Sequence, residues 1–87
     1  MITEIEFSAH SLIKIEILWS HNFDLSKEIV EDIVRFPDKI DAGYQDRLIA
    51  QKALDETHVL RVVYEKKTKK LLVITVYPGR RFRYEKY

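Results

Sequence analysis

The chain has no cysteine, and its 87 residues include only two glycines and two prolines. Without cysteine it can form neither a disulfide framework nor a thiolate metal site. The sequence contains no phosphate-cradling glycine loop and no nucleophile elbow, which sets aside nucleotide triphosphatases and serine hydrolases. The amino-terminal stretch MITEIEFSAH is acidic and lacks a long apolar run, so it does not resemble a secretory signal. A cytoplasmic location is predicted.

What is present is the composition of one small folded domain, predicted to span residues 1–87. Hydrophobic residues make up 46 % of the chain and charged residues 33 %, and no linker or repeat is visible. A chain of this length holds a single core. Groups that carry a function must therefore share space with groups that carry the fold.

Charge is divided unevenly along the chain, although the formal net charge is only +1. Residues 1–43 contain four Lys or Arg against nine Asp or Glu, whereas residues 44–87 contain eleven against five. Local charge decides which surface meets a polyanion. We expect an acidic helical layer and a basic sheet. The alternative is that the charged residues only keep the exposed surface solvated.

Two helices are predicted in the first half. The first extends from Ala9 to about Trp19, with Ser8 as its N-cap. The second begins after Asp24 or Ser26 and ends near residue 35, before Pro37. Its apolar residues recur at spacings of four, four and three, namely Leu25, Ile29, Ile33 and Phe36.

Strands are predicted at both ends of the chain. Residues 2–7 alternate as a short first strand, and a further strand is expected within residues 44–54. The runs LRVVY and LLVITVY, joined by EKKTKK, predict a β-hairpin over residues 60–77. A four-residue loop would place Arg61 opposite Ile74. Residues 78 and 79 should interrupt the ladder, and residues 81–87 should return as an edge strand.

The predicted fold is therefore α+β, with two helices packed on one face of a three- to five-stranded antiparallel sheet. The other face is expected to be open, since two helices cannot cover both faces of such a sheet.

Arg61 is the discordant residue of the hairpin, because it places a permanent charge inside the apolar run VLRVVY. Its guanidinium must reach the open face or be paired, since a buried charge without a partner costs several kcal/mol. Two interpretations stay open. Arg61 either serves a ligand or forms a structural salt bridge with a helix carboxylate such as Glu16 or Asp32.

Cationic and aromatic residues accumulate around this hairpin and suit RNA. Arginine and lysine neutralise phosphate, tyrosine stacks on unpaired bases, and cleavage without a metal needs only a positioned 2′-hydroxyl, proton transfer and charge stabilisation. His10 is a candidate acid or base, with a structural role as its alternative. The three histidines are scattered and no carboxylates accompany them at ligand spacing, so no metal and no cofactor are predicted.

Five segments of the chain look familiar: FSAH at 7–10, FPDK at 36–39, GYQDRLIAQK at 43–52, LRVVY at 60–64 and VITVYP at 73–78. Together they resemble a family of small, mostly uncharacterised prokaryotic domains grouped with the RelE/ParE-like toxins and, more distantly, with the barnase-like ribonucleases. This resemblance implies two helices on a curved antiparallel sheet, metal-independent RNA cleavage and inhibition by a small antitoxin. The positions that match are His10, Arg47, Lys52, Arg61, Thr75 and Tyr77.

From the residues and the resemblance together, we expect a toxin-like, metal-independent endoribonuclease that acts on RNA, either free or on the ribosome. The expected catalytic residues are His10, Arg47, Lys52, Arg61 and Tyr77. The expected RNA-binding residues are Thr75, Arg80, Arg81, Arg83 and Tyr84. The alternatives are a non-catalytic module of the same fold that binds RNA or a protein, and self-association of the acidic helices with the basic sheet. The oligomeric state stays open.

Overall fold

The computed structural model describes residues 4–85, in which five strands form one sheet. The strands, in chain order, are β1 Ile5–Phe7, β2 Lys39–Ala42, β3 Leu48–Ala53, β4 His58–Lys66 and β5 Leu71–Arg80. The helices are α1 Ala9–Ser20, α2 Lys27–Arg35 and α3 Arg81–Tyr84. Across the sheet the strands lie in the order β1-β5-β4-β3-β2.

The α+β class is confirmed, but the prediction of an antiparallel sheet is wrong. Strand β1 runs parallel to β5, with Ile5 opposite Leu71, while the other strand pairs are antiparallel. A parallel pair needs a long crossover between its strands, and here the whole intervening chain provides it. The sheet is therefore mixed.

Both long helices start where the sequence predicts. The hydroxyl of Ser8 accepts a 3.0 Å hydrogen bond from the Ser11 amide and caps α1. Of the two candidate caps for α2, Ser26 is the one used, accepting a 3.2 Å bond from the Ile29 amide. Side-chain oxygens at these positions satisfy amides that have no partner inside the helix.

The core lies between one face of the sheet and the two long helices. Helix α1 packs on β5, and α2 packs on β3 and β4. The buried apolar side chains in this layer are Ile5, Ile15, Leu18, Leu25, Val30, Ile33, Val34, Ala50, Leu60, Val62, Tyr64, Leu71, Val73 and Val76. Because side chains alternate along a strand, Arg61 points to the opposite face, which we call the second face.

Strand β2 was not predicted. It pairs antiparallel with β3, so that Ile40 lies opposite Ala50. The turn between them contains Gln45 (φ 56°) and Asp46 (φ 64°), and the Arg47 amide donates a 3.2 Å bond to the Tyr44 carbonyl. Two consecutive left-handed residues match the twist of a hairpin, which explains why the predicted strand over 44–54 begins only at residue 48.

The predicted register of the β4–β5 hairpin is wrong. Next to the turn, Lys66 of β4 lies opposite Leu71 of β5. Further along the hairpin there is a β-bulge, at which Val63 and Tyr64 of β4 face residues 73–75 of β5. Ile74 is the extra residue, because Tyr64 pairs with Val73 and Val63 with Thr75. Beyond the bulge Arg61 pairs with Tyr77 instead of Ile74.

The predicted edge strand over residues 81–87 is also wrong. Strand β5 continues through Pro78 and Gly79 to Arg80, and the chain then forms α3; residues 86 and 87 lie outside the described part. Pro78 pairs with Leu60 on one side, and β1 covers only residues 71–73 on the other. A proline is tolerated there because that side of β5 is an edge.

No helix within residues 4–85 is long and apolar enough to cross a membrane.

Candidate functional site

The second face of the sheet carries a row of polar residues from neighbouring strands. Gln51 on β3 lies opposite Arg61 on β4, which lies opposite Tyr77 on β5. Lys39 on β2 extends the row, since it lies opposite Gln51. Residues directly opposite each other in a sheet share a face, so the register alone brings these side chains together.

Arg61 is the centre of this row and is 6 % exposed. Its Nε donates a 2.9 Å hydrogen bond to the Tyr77 hydroxyl. Its Nη1 donates to Gln51 Oε1 and lies 3.1 Å from Asp41 Oδ2 on the edge strand β2. These are donors from two of the three guanidinium nitrogens, which fix the plane of the group.

Tyr84 of α3 covers the guanidinium. Its ring centroid lies 4.5 Å from Arg61 Cζ, a cation–π contact. The Gln51 amide donates a 3.3 Å bond to the Tyr84 carbonyl. We refer to Asp41, Gln51, Arg61, Tyr77 and Tyr84 as the Arg61 cluster. The second face was predicted to be open, but at Arg61 it is covered by Tyr84.

Gly79 provides the space that Tyr84 occupies. A Cβ at position 79 would lie 2.3 Å from Tyr84 Cε2 and 2.5 Å from its Cδ2, distances that no side chain tolerates without moving the ring. Glycine is used here because another group approaches the strand closely, and not for its backbone freedom.

The electrostatics of the cluster favour a charged arginine. Burial by itself lowers the pKa of Arg61, but the hydrogen bonds and charges of Tyr77 and Asp41 outweigh it, so that the net pKa is raised. The Asp41 side chain is 38 % exposed, against 7 % for that of Arg61. Solvent or a ligand thus reaches the carboxylate of the cluster more readily than the guanidinium.

Three of the residues predicted as catalytic lie away from the cluster. Lys52 points to the helical face, where its Nζ lies 3.3 Å from Asp32 of α2. Arg47 lies on the second face but at the far end of β3, 3.8 Å from Glu65. His10 is exposed in the first turn of α1. Of the five predicted catalytic residues, the structure brings together Arg61 and Tyr77.

Arg47 has an unusual environment. Its Nε is the one buried side-chain polar atom within residues 4–85 that has no hydrogen-bond partner. The contact with Glu65 at 3.8 Å is an ion pair but is too long for a hydrogen bond.

The residues predicted to bind RNA are spread around the end of β5. Thr75 shares the second face with Tyr77, two residues away, and lies opposite Val63. Arg80 and Arg83 are exposed. Arg81 is instead engaged: its Nε donates a 2.8 Å bond to Glu85, and its Nη1 donates a 3.3 Å bond to the Asp55 carbonyl. The pKa of Arg81 is raised, chiefly by the bond to Glu85.

Sequence reasoning missed Asp41 and Gln51. The partner proposed for Arg61 was a helix carboxylate, whereas the observed partner lies on β2. A signal for Gln51 was present, because a polar residue at a middle position of a strand, like Arg61 itself, needs a partner on the same face. Asp41 gave no such signal, since β2 was not recognised as a strand.

A second polar cluster lies where β4 begins. His58 Nδ1 lies 3.1 Å from Asp55 Oδ1 and 2.8 Å from the Thr57 hydroxyl. The amides of Thr57 and His58 also donate to Asp55 Oδ1, at 2.8 and 2.7 Å. The pKa of Asp55 is lowered, first by the Thr57 amide. Asp55 thus organises the β3–β4 turn.

Within residues 4–85 no group of three or more acidic, histidine or cysteine side chains has the arrangement of a metal site.

A shallow cleft of about 380 Å³ lies at the end of α1, lined by Trp19, Ser20, Asn22, Phe23 and Asp24. It lies apart from the residues of the Arg61 cluster.

No protein-family model, curated protein or solved structure matches this chain.

Proposed function

We propose that the protein is a toxin-like, metal-independent endoribonuclease whose reaction centre is the Arg61 cluster. The observation that carries this proposal is the grouping of a guanidinium, a carboxylate and a phenol on one sheet face, with Arg61 bonded to Tyr77 at 2.9 Å and paired with Asp41 at 3.1 Å. Groups of these kinds can supply the base, the acid and the charge stabilisation that cleavage of RNA without a metal requires.

In the proposed reaction, the carboxylate of Asp41 accepts the proton of a ribose 2′-hydroxyl. The 2′-oxygen then forms a bond to the adjacent phosphorus, and the bond from phosphorus to the 5′-oxygen breaks. Arg61 stabilises the negative charge that develops on the phosphate oxygens, and Tyr77 gives its proton to the departing 5′-oxygen. The products are a 2′,3′-cyclic phosphate and a 5′-hydroxyl.

The surroundings of the cluster support an RNA substrate. Arg83 is exposed and precedes Tyr84 in α3, so that a phosphate can be neutralised beside the cluster. Tyr84 stacks on the guanidinium with one face of its ring, and the opposite face is suited to an unpaired base. Thr75, which shares the second face, offers a hydroxyl next to Tyr77.

The proposal assigns no proton transfer to His10, Arg47 or Lys52, because none of them contacts Arg61 or Tyr77. The resemblance to RelE/ParE-like toxins gives this function further support. A small antitoxin, encoded in a neighbouring reading frame, and action on the ribosome belong to the proposal on that ground alone.

The test is RNA cleavage by the purified protein with EDTA or Mg²⁺ present. We expect fragments that end in a 2′,3′-cyclic phosphate under both conditions. Tyr77→Phe and Arg61→Gln should each reduce the rate at least about a hundredfold, the range typical of acid–base groups. Lys52→Met, which changes the helical face, is the matched control and should retain the rate. Cleavage that survives Tyr77→Phe and Arg61→Gln in folded protein would remove the assignment.

A second candidate function is a non-catalytic module that binds RNA or a protein. Two observations favour it: the charge of Arg61 is already compensated by Asp41, and Tyr84 covers the guanidinium. In that case the cluster would stabilise the sheet, and the exposed arginines would bind. Protein that retains RNA in a filter-binding assay but leaves it intact with and without Mg²⁺ would select this candidate.

A further inference from the structure

Strand β2 is the last strand of the sheet, and its outer edge has no partner strand within residues 4–85. The Gly43 amide donates a 2.7 Å bond to the Arg47 carbonyl, which sets the alternation along β2. Because antiparallel strands alternate between bonded and non-bonded pairs, the amide and carbonyl of Ile40 point away from β3. An unpaired edge of this kind is a template for another strand.

The charges on β2 are arranged so that the strand complements itself. Lys39 and Asp41 flank Ile40 and lie on the same face, with Lys39 Nζ 3.6 Å from Asp41 Oδ2. If a second β2 is placed antiparallel with Ile40 opposite Ile40, each Lys39 lies opposite an Asp41. Opposite charges directly across two strands stabilise the pair, and like charges destabilise it.

Apolar surface accompanies this edge. Ile40 is 50 % exposed and lies on the helical face of β2, and Phe36, at the end of α2 and just before the strand, is 64 % exposed. In the antiparallel pairing the two Ile40 side chains meet across the new strand pair. Burial of apolar area then adds to the main-chain hydrogen bonds.

We propose that two copies of this chain associate through their β2 strands, which pair antiparallel with Ile40 opposite Ile40. The five strands of each chain then form one continuous ten-stranded sheet. The symmetry axis is perpendicular to the sheet, so that both Arg61 clusters lie on the same side. Strand β2 has only four residues. The interface is therefore smaller than the roughly 800 Å² per partner of standard complexes, and the association is weak and concentration-dependent.

Asp41 belongs both to the proposed strand pair and to the Arg61 cluster, so association would change the surroundings of the cluster. That carboxylate lies 3.1 Å from Arg61 Nη1 and 3.6 Å from Lys39 of its own chain. In the dimer the partner's Lys39 becomes a further cationic neighbour. The proposal stands without the proposed function, because it depends only on the edge strand and its charges.

The test is the molar mass by sedimentation velocity, from about 10 µM to about 1 mM, the range in which weak contacts are measured. We expect a shift toward twice the 10.4 kDa chain mass as concentration rises. Ile40→Pro removes the outward N–H and is compatible with an edge strand, so it should raise the dissociation constant at least about tenfold. Ile40→Val keeps the N–H and is its control.

A charge variant makes the test independent of the proline. Lys39→Glu puts a second carboxylate opposite the partner's Asp41 and should weaken association, whereas Lys66→Glu, at the hairpin tip, should not. Circular dichroism checks that each variant is folded. If Ile40→Pro does not fold, the effect of Lys39→Glu on the dissociation constant is the test of the proposal.

Two results would overturn the proposal. One is a monomer throughout the concentration range. The other is a dimer that Lys39→Glu leaves intact. If Ile17→Asp abolishes that dimer, the exposed outer face of α1, which carries Ile13 and Ile17, is the interface instead.

Discussion

The Nε of Arg61 donates a 2.9 Å hydrogen bond to the hydroxyl of Tyr77, the residue directly opposite it on β5. This pairing depends on the bulge at Ile74. Had the register at the hairpin turn continued unchanged, Arg61 would lie opposite Val76, which belongs to the core. One extra residue in β5 therefore decides that a phenol, and not an aliphatic side chain, meets the guanidinium.

Asp41 is expected to stabilise the fold through Arg61. Asp41→Asn should lower the free energy of unfolding by about 1–3 kcal/mol, because it removes the charged acceptor of a buried cation. Arg61→Met removes the cation, so that Asp41→Asn should cost much less in that background. Urea denaturation of the two single variants and the double variant measures this coupling. Glu16→Gln, on the exposed face of α1, is the control, and additive effects would contradict the prediction.

Gly79→Ala should displace the ring of Tyr84 from Arg61. The new methyl group would lie 2.3 Å from Tyr84 Cε2, and we expect a loss of about 1–3 kcal/mol of stability. In a Tyr84→Ala background the same substitution should cost far less, since the obstructing ring is absent. Equal losses in both backgrounds, measured by thermal denaturation, would show that the loss does not come from the Tyr84 ring.

Acid should loosen the β3–β4 turn through Asp55. The pKa of Asp55 is lowered in the folded protein, chiefly by the Thr57 amide. A lowered pKa adds stability above the pKa of the unfolded chain, and this stability is lost as pH falls through the folded value. Wild-type protein should therefore lose stability below a pH of about 4 more steeply than Asp55→Asn. Parallel slopes in urea denaturation at several pH values would refute this.

The two helix caps should differ in cost. Ser26→Ala removes one capping bond and should lower stability by about 1 kcal/mol. Ser8→Ala removes the cap of α1 and also the 2.9 Å bond from the Ser8 hydroxyl to the Ile74 carbonyl at the bulge, so its loss should be about twice as large. The two variants are compared by urea denaturation, and a Ser8→Ala loss no larger than that of Ser26→Ala would contradict the added role.

The features that the sequence predicts well are local ones. Both long helices are marked by a serine cap within three residues of the amide it binds. The apolar spacing predicted for α2 is confirmed only in part, because Leu25 and Ile33 are buried but Phe36 is 64 % exposed, and the buried Val30 and Val34 lie outside the predicted face. The register of the β4–β5 hairpin is not local, because the bulge is bonded to Ser8, 66 residues away in sequence. No pattern within the hairpin reveals that contact.

Helix α3 escaped prediction for a related reason. The letters RFRY alternate as in a strand, and four residues are too few to display a helical period. What holds the segment is tertiary: the Arg81 amide donates a 2.9 Å bond to the Thr57 carbonyl, and Tyr84 fits against Gly79.

The candidate site was predictable in part. Arg61 stood out as a charge in an apolar strand, but its neighbours follow from the register and from β2, neither of which the sequence defined. The sequence therefore predicts a helix carboxylate as the structural partner of Arg61, whereas the observed partner, Asp41, lies on the edge strand β2.

The parallel pairing of β1 with β5 has a consequence for how the chain reaches its native state. During synthesis, β1 and the Ser8 cap emerge long before residues 71–74, which they bind. Until those residues emerge, β1 has no strand to pair with and the Ser8 hydroxyl cannot bond to the Ile74 carbonyl. We expect the last cooperative step of folding to be slow compared with helix formation, since it closes the longest loop in the domain.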